Sequence, residues 1–458
     1  MRRPRRAVSA ASRARPVTPP SLDRRFADAM GATLGPDFPA EIALAVSGGG
    51  DSMAMLTLAH NWTHIWGVKL WVVTVDHGLR PEAAAEAALV RETCDELGHP
   101  HATLRWRWDG AGNLMDAARR ARIDLMGRWC GRLDTLLLAH TRDDVAETFL
   151  MRLARGSGVD GLSAMQPVRK VTRGTAPVPD MDGATPPGPA ADRLRLVRPC
   201  LDMGREELRH YLRVLKGRWV DDPSNDDPHY DRVRFRKLLA TLAPEGLDAG
   251  TLAATAKRMS RAREALRLRA LKAWTLCGRE GPVADLTFNR DRFAGYERDT
   301  QMRLLASALQ YVASAEYRPR ATQLEALLDR LLSGGSGTLH GCAIRTGHDA
   351  LHILREPAAT TPMDLPPGKT VLWDGKWQVF HTKGTSLTLR ALAEDGWQQL
   401  PPDTRAALPG GLSHATAQAL PSLWDGDRLL ACAPLRAGPE TTAVLQEANG
   451  FPAFLLSH

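Results

Sequence analysis

Between residues 41 and 153 the apolar positions fall into two alternating textures. Short runs rich in Val, Leu and Ile are each followed by a longer stretch whose apolar residues recur three and four apart. Runs of the first kind suit strands buried on both faces, and stretches of the second suit helices that cross back over a sheet. The pattern predicts parallel βαβ units, with strands at 42–46, 69–75, 102–106 and 135–139. Helices should open at Ser52, Pro81, Asn113 and Asp143. Ligands of such sheets gather at the carboxyl ends of the strands, so the loops after these four runs are where chemistry is expected.

The texture changes after residue 153. Residues 169–192 are dense in Pro, Gly, Ala and Asp with no apolar period, which predicts a mobile surface insertion. Helices are expected at 202–215, with Asp202 as N-cap, and at 230–242. A long helix at 251–274 carries Lys257, Arg258, Arg261, Arg263, Arg267, Arg269 and Lys272, and a further helical region covers 299–332 until the glycine-rich 333–337 ends it. Past residue 365 the chain reads as short strands (371–373, 377–381, 429–433) separated by turn residues. The expected architecture is an α/β domain with a parallel sheet at 39–242, a helical domain at 243–350 and a small β-rich domain at 365–458. Three domains suit 458 residues at roughly 150 residues each.

Composition narrows the class. Hydrophobic residues at 43% and charged residues at 24% are ordinary for a globular protein. The six cysteines are scattered without a CxxC pair, which argues against a zinc ribbon or an iron–sulfur cluster and for a reducing, cytoplasmic setting. No apolar run approaches the ~20 residues a membrane span needs. The formal charge of +8 is uneven, because residues 1–20 hold six arginines and no acid. Residues 1–38 therefore read as a basic disordered arm; a solvated tail, a nucleic-acid contact and a transit peptide all fit it.

The sharpest local signal is Ser47-Gly48-Gly49-Gly50-Asp51-Ser52, placed between an apolar strand and a helix. Three glycines let backbone N–H groups wrap an anion, and the helix N-terminus adds its positive dipole end, so a phosphate fits there. Asp51 is out of place beside a phosphate unless a divalent cation lies between them. A second cluster, Val75-Asp76-His77-Gly78-Leu79-Arg80, closes the next strand, and a third runs from Ala139 to Thr148. Within the third, Asp144 and Glu147 are three apart and share a helix face. With Asp51 they form a candidate Mg2+ site, although acids in a first helical turn also answer the helix dipole. Arg119 and Arg122 share a face suited to a carboxylate or phosphate, and equally describe a solvated basic face.

The glycine loop resembles the PP-loop of the N-type ATP pyrophosphatase superfamily, whose members cleave ATP to AMP and pyrophosphate on an adenine nucleotide alpha hydrolase-like fold. The three clusters in this order resemble the tRNA(Ile)-lysidine synthetase family. That resemblance continues through Gly112-Asn113-Leu114, 118–122, Arg155-Gly156-Ser157-Gly158, Arg198-Pro199, 222–226 and Tyr230-Asp231-Arg232 to Arg236. The chain departs from it at Thr141, where the family usually has His, at Val145, often Gln, and at Ile123, usually Tyr. No carboxylate is lost.

The resemblance implies that the O2 of the wobble cytidine attacks the α-phosphate of ATP and that the ε-amine of free L-lysine then attacks C2 and expels AMP. Partners would be tRNA(Ile) with a CAU anticodon, L-lysine and ATP with Mg2+; the oligomeric state stays open between monomer and homodimer. It further implies nucleotide binding by Ser47, Gly48, Gly49, Gly50, Asp51, Ser52, Asp76 and His77, and catalysis and metal binding by Asp51, Asp144 and Glu147. Substrate binding would fall to Arg80, Arg119, Arg122, His140, Asn225, Arg232 and Arg236, and tRNA binding to the regions 243–350 and 365–458. Asp76, Asp144 and Glu147 all remain candidates for the base that takes the lysine proton. The rival readings are a sulfur-inserting PP-loop enzyme and a non-catalytic RNA-binding protein. Gly156 to Gly161 fits GxGxxG but follows a helical run, so the dinucleotide fingerprint fails its context.

Overall fold

Strand order explains where a site can form. A computed structural model describes residues 20–78, 82–108, 110, 112, 114–174, 176–186, 188, 193–221, 231–382, 384–439, 441–446 and 450–457. The chain divides into two compact units, 1–261 and 262–458.

In the first unit α1 (Leu22–Leu34) precedes β1 (Glu41–Ala45), α2 (Gly50–Trp66), β2 (Lys69–Asp76), α3 (Ala83–Leu97) and β3 (His101–Arg105). Then come α4 (Leu114–Trp129), β4 (Thr135–Leu137), α5 (Arg142–Leu153), α6 (Val159–Leu162), β5 (Val168–Thr172), β6 (Met181–Gly183) and β7 (Arg193–Val197). Helices α7 (Arg205–Val214), α8 (Asp231–Leu242) and the start of α9 (Ala249–Cys277) complete it. The sheet order is β5-β7-β4-β1-β2-β3-β6. Its inner five strands are parallel, and β5 and β6 pair antiparallel at the two edges. After β1 the chain moves outward through β2 and β3, then returns to lay β4 on the other side of β1. That reversal opens a crevice at the carboxyl ends of β1 and β4.

Several expectations need correction. The arm expected over 1–38 is helical from Leu22 to Leu34: Phe26, Met30 and Leu34, each four apart, are buried, and Ser21 accepts from the Arg24 N–H as N-cap. Residues 1–19 lie outside the described residues. Nor is 169–192 a structureless insertion, since it supplies β5 and β6 to opposite edges of the sheet. Edge strands pair through backbone groups, which side-chain composition does not reveal. The buried Arg173 fastens this segment by donating to the carbonyls of Gly127 (3.2 Å), Leu133 (3.0 Å) and Gly131 at the end of α4. The cap of α7 is Gly204, held by Glu207 at 2.6 Å, whereas Asp202 pairs with Lys257.

The second unit is not purely helical before residue 350. Strands β8 (Gly278–Glu280), β9 (Leu286–Asn289), β10 (Gly337–Leu339), β11 (Cys342–Thr346) and β12 (Ala350–Arg355) form an antiparallel sheet in the order β10-β11-β12-β9-β8. Its core includes Phe288, Ile344 and Ile353 together with Phe293 from the short α10 (Arg290–Ala294) and Leu304, Leu309, Leu328 and Leu331 from α11 (Arg298–Val312) and α12 (Ala321–Leu332), the last two separated by a break within the region expected at 299–332. Beyond residue 362 a four-stranded and a three-stranded antiparallel sheet enclose a core built on Leu365, Trp373, Leu389 and Leu423, the β-rich end expected of the sequence.

Candidate active site

The glycine loop lies at the carboxyl end of β1. Ser52 Oγ accepts from the Ser47 N–H at 3.2 Å and donates to the Gly49 carbonyl at 2.9 Å, which folds the loop back on the start of α2. Gly49 caps α2 without a side chain, so the first N–H groups of the helix stay available to an anion. Gly48 has φ +87°, the left-handed region that glycine tolerates. A Cβ on Gly50 would stand 3.3 Å from Arg209 Cγ and 3.5 Å from the Trp219 ring, so α7 and the segment after it wall the loop. The Gly48 carbonyl accepts from the Val220 N–H at 3.0 Å.

Asp51, Asp144 and Glu147 converge from the ends of β1 and β4, and the group they converge on is Arg205. Its guanidinium reaches Asp51 Oδ2 at 3.1 Å, Glu147 Oε1 at 2.9 Å and Asp144 Oδ1 at 3.5 Å. Arg236 Nε adds a second contact to Glu147 Oε1 at 2.9 Å. Glu147 is fully buried, and its Oε2 and Asp51 Oδ1 have no hydrogen-bond partner among the described residues. Burial raises the Asp51 carboxyl above its ordinary pKa despite Arg205. Burial acts the same way on Asp144, but Arg205, Arg232 and the Thr141 N–H outweigh it and hold that carboxyl below its ordinary value. Asp144 also closes a capping box on α5, with Thr141 N donating to Oδ2 at 2.8 Å, so the dipole reading and the site reading both apply. Thr141, one of the chain's departures from the family pattern, is the buried N-cap of that helix.

Asp51, Asp144 and Glu147 were expected as a three-carboxylate metal site; among the described residues no three His, Cys, Asp or Glu side chains are grouped to hold one ion, and the Arg205 guanidinium lies among these carboxylates. The two unpartnered oxygens still fit a cation whose remaining ligands come from phosphate and water. Sequence reasoning missed Arg205. Its signal was a cation at the first position of a helix, where the dipole disfavours positive charge.

Beside this acidic hollow stands a basic group. Arg122 is repelled by Arg119 and Arg232 after the larger penalty of burial, and its Nε has no partner among the described residues. Burial, then Arg169 and Arg119, lowers Arg198 to about 10. His140 is pushed down to about 4, mainly by burial with Arg198, Arg122 and Arg232 adding to it and Asp144 opposing, so its ring is neutral near pH 7. His77 is lowered by burial and by Arg122. Asp76 turns inward on its own loop, accepting from the Gly78 N–H at 2.8 Å. Thus Arg236 contacts Glu147, His140 and Arg232 act on Asp144, Arg119 and Arg122 group with Arg198 and Arg232, Asp76 and His77 sit at the neighbouring strand end, and Arg80, Asn113, Asn225, Tyr230 and the 222–226 motif lie outside the described residues.

Known proteins resemble this chain along most of its length. A PP-loop domain model matches residues 22–243. A tRNA(Ile)-lysidine synthase of Ruegeria pomeroyi is 40% identical over 92% of this chain and 95% of its own length. Another, from Rhodopseudomonas palustris, is 40% identical over 69% of this chain and 90% of its own. Among solved structures, the U34-tRNA thiolase NcsA of Methanococcus maripaludis aligns at 17% identity and a TM-score of 0.39, covering 52% of this chain and 79% of that one. With two-fifths of its residues shared along nearly the full length of the Ruegeria protein, this chain belongs to the tRNA(Ile)-lysidine synthase family.

Proposed function

We propose that the chain carries out the reaction for which its family is named: it spends ATP to adenylate the wobble cytidine of tRNA(Ile) with a CAU anticodon and joins L-lysine to C2 of that base. The observation that carries this is the meeting of Asp51, Asp144 and Glu147 around Arg205 at the crevice between β1 and β4, beside a glycine loop that leads into a helix start with no side-chain cap. In the first step the cytidine O2 bonds to the α-phosphorus and pyrophosphate leaves with its negative charge. The loop N–H groups and the start of α2 receive that charge. Asp51 and Glu147, through their unpartnered oxygens, would hold Mg2+ with the phosphates, and the ion would supply charge neutralisation for the leaving group.

In the second step the lysine nitrogen bonds to C2, the C2–O bond to AMP breaks and the ammonium proton passes to a carboxylate. Asp144, held ionised by Arg205, is suited to grip the ammonium rather than to take its proton. The arginines around His140 suit the phosphates that flank an unpaired base. A sulfur-inserting reaction would call for an accessible thiol, and all six cysteines are buried. Action in the cytoplasm accords with those reduced thiols, and no helix among the described residues is long and apolar enough to cross a membrane.

Purified protein should release pyrophosphate only when ATP, magnesium and a CAU-anticodon tRNA are all present. With L-lysine added, mass spectrometry of the digested tRNA should find the lysine adduct on cytidine. Pyrophosphate without the adduct would leave a nucleotide-activating enzyme of another substrate.

A further inference from the structure

The residues that leave β3 at the catalytic edge of the sheet read Arg105-Trp106-Arg107-Trp108, and no step of the proposed chemistry uses them. Arg105 lies opposite Asp76 in the parallel register, and the Trp106 N–H donates to the Asp76 carbonyl at 2.9 Å. This run is therefore fastened to the loop that carries His77. The Trp106 ring meets His77 edge-on with centroids 5.8 Å apart and packs in part on the sheet's core. Arg105 turns aside to Asp180 at 3.2 Å, while Arg107, its side chain 91% exposed, comes no nearer than 4.0 Å to the same acid.

Trp108 is 43% exposed, whereas most of the chain's tryptophans are buried. A single exposed aromatic residue is unremarkable on a protein surface. Here two aromatics alternate with two arginines, and the run is linked through Trp106 and His77 to Arg122 of the basic group. That combination suits single-stranded nucleic acid, whose bases stack on flat side chains while guanidinium groups meet the backbone. We propose that Trp108, supported by Trp106, is a stacking platform for an unpaired anticodon-loop base beside the wobble cytidine, with Arg107 meeting its phosphate. The assignment rests on the tRNA reading above and adds to it a residue that selects the RNA rather than the nucleotide.

Stacking on one aromatic side chain contributes ~1–3 kcal/mol by alanine substitution. At about 1.4 kcal/mol per factor of ten, Trp108→Ala should raise the KM for tRNA by roughly 5- to 150-fold. The KM for ATP should stay as it was, and Trp108→Phe should recover most of the loss. Binding of an isolated CAU anticodon stem-loop, followed without catalysis, should weaken by a similar factor. An unchanged KM for tRNA and unchanged stem-loop binding in the alanine variant would overturn the platform, as would a rise confined to ATP. Wild-type protein that binds the stem-loop through Trp108 yet forms no lysine adduct would sink the lysidine reading and leave the platform standing.

Discussion

Arg205 carries a charge that its place at the start of α7 disfavours, and three carboxylates make up the difference. Burial works against its guanidinium, but Glu147, Asp144 and Asp51 outweigh that and raise its pKa above the ordinary arginine value. Its side chain is only 13% exposed, and Glu147 has no exposure at all, so these contacts are little screened by solvent. Taking away one partner of such a buried set leaves uncompensated charge and costs about 3–5 kcal/mol. Arg205→Met should therefore lower the urea midpoint of the first unit, and millimolar Mg2+ should restore more stability to the variant than it adds to the wild type. That second readout separates a cation-holding acidic hollow from a plain salt bridge, which Mg2+ would not rescue. Equal responses of the two proteins to Mg2+ would argue that the carboxylates serve only to anchor α7.

At the level of elements, legibility followed burial. Strands β1 to β4 were plain in the sequence because interior parallel strands are apolar on both faces, and the loops after them held the motifs. Helix α1 was hidden by its neighbours: the arginines before it set the tone of the segment, while the stripe of Phe26, Met30 and Leu34 contributes only three residues. Strands β5 and β6 were hidden for another reason, since Val171 and Met181 are merely half-buried and the pairing is made by backbone atoms. Arg205 escaped because its partners lie 154, 61 and 58 residues away in the chain, beyond the reach of any local spacing. Arg173 tests the corrected view of this region. Its removal leaves the carbonyls of Gly127, Gly131 and Leu133 short of a donor, at a cost of about 1–3 kcal/mol for each group that water cannot reach. Arg173→Ala should lower the melting temperature by several degrees and speed amide exchange in β5; a structureless insertion would leave both unchanged.

For the molecule as a whole, net charge overstates how many cations are unpaired. The long helix α9 looked like the basic stripe, yet Lys257 is paired with Asp202, and Arg269 with Glu297 at 2.7 Å beneath a contact to the Tyr296 ring. By contrast, Arg119 and Arg122 have no acidic partner within salt-bridge distance among the described residues, and Arg122 is repelled by Arg119 and by Arg232, which itself faces Asp144. A cation already neutralised by a carboxylate releases few counterions when it meets a phosphate, whereas an unpaired one contributes almost a full unit. Binding of tRNA should thus weaken linearly on a logarithmic salt scale, by ~0.7–0.9 per phosphate contact. The exposed Arg119 and the exposed Lys257 make a matched comparison, because each can be changed to Gln without disturbing a core. Arg119→Gln should reduce the salt slope by about one contact, and Lys257→Gln should leave it nearly unaltered. The reverse ranking would move the RNA away from the arginine group and onto α9, and with it the premise that the anticodon loop enters over the carboxyl ends of β1 and β4.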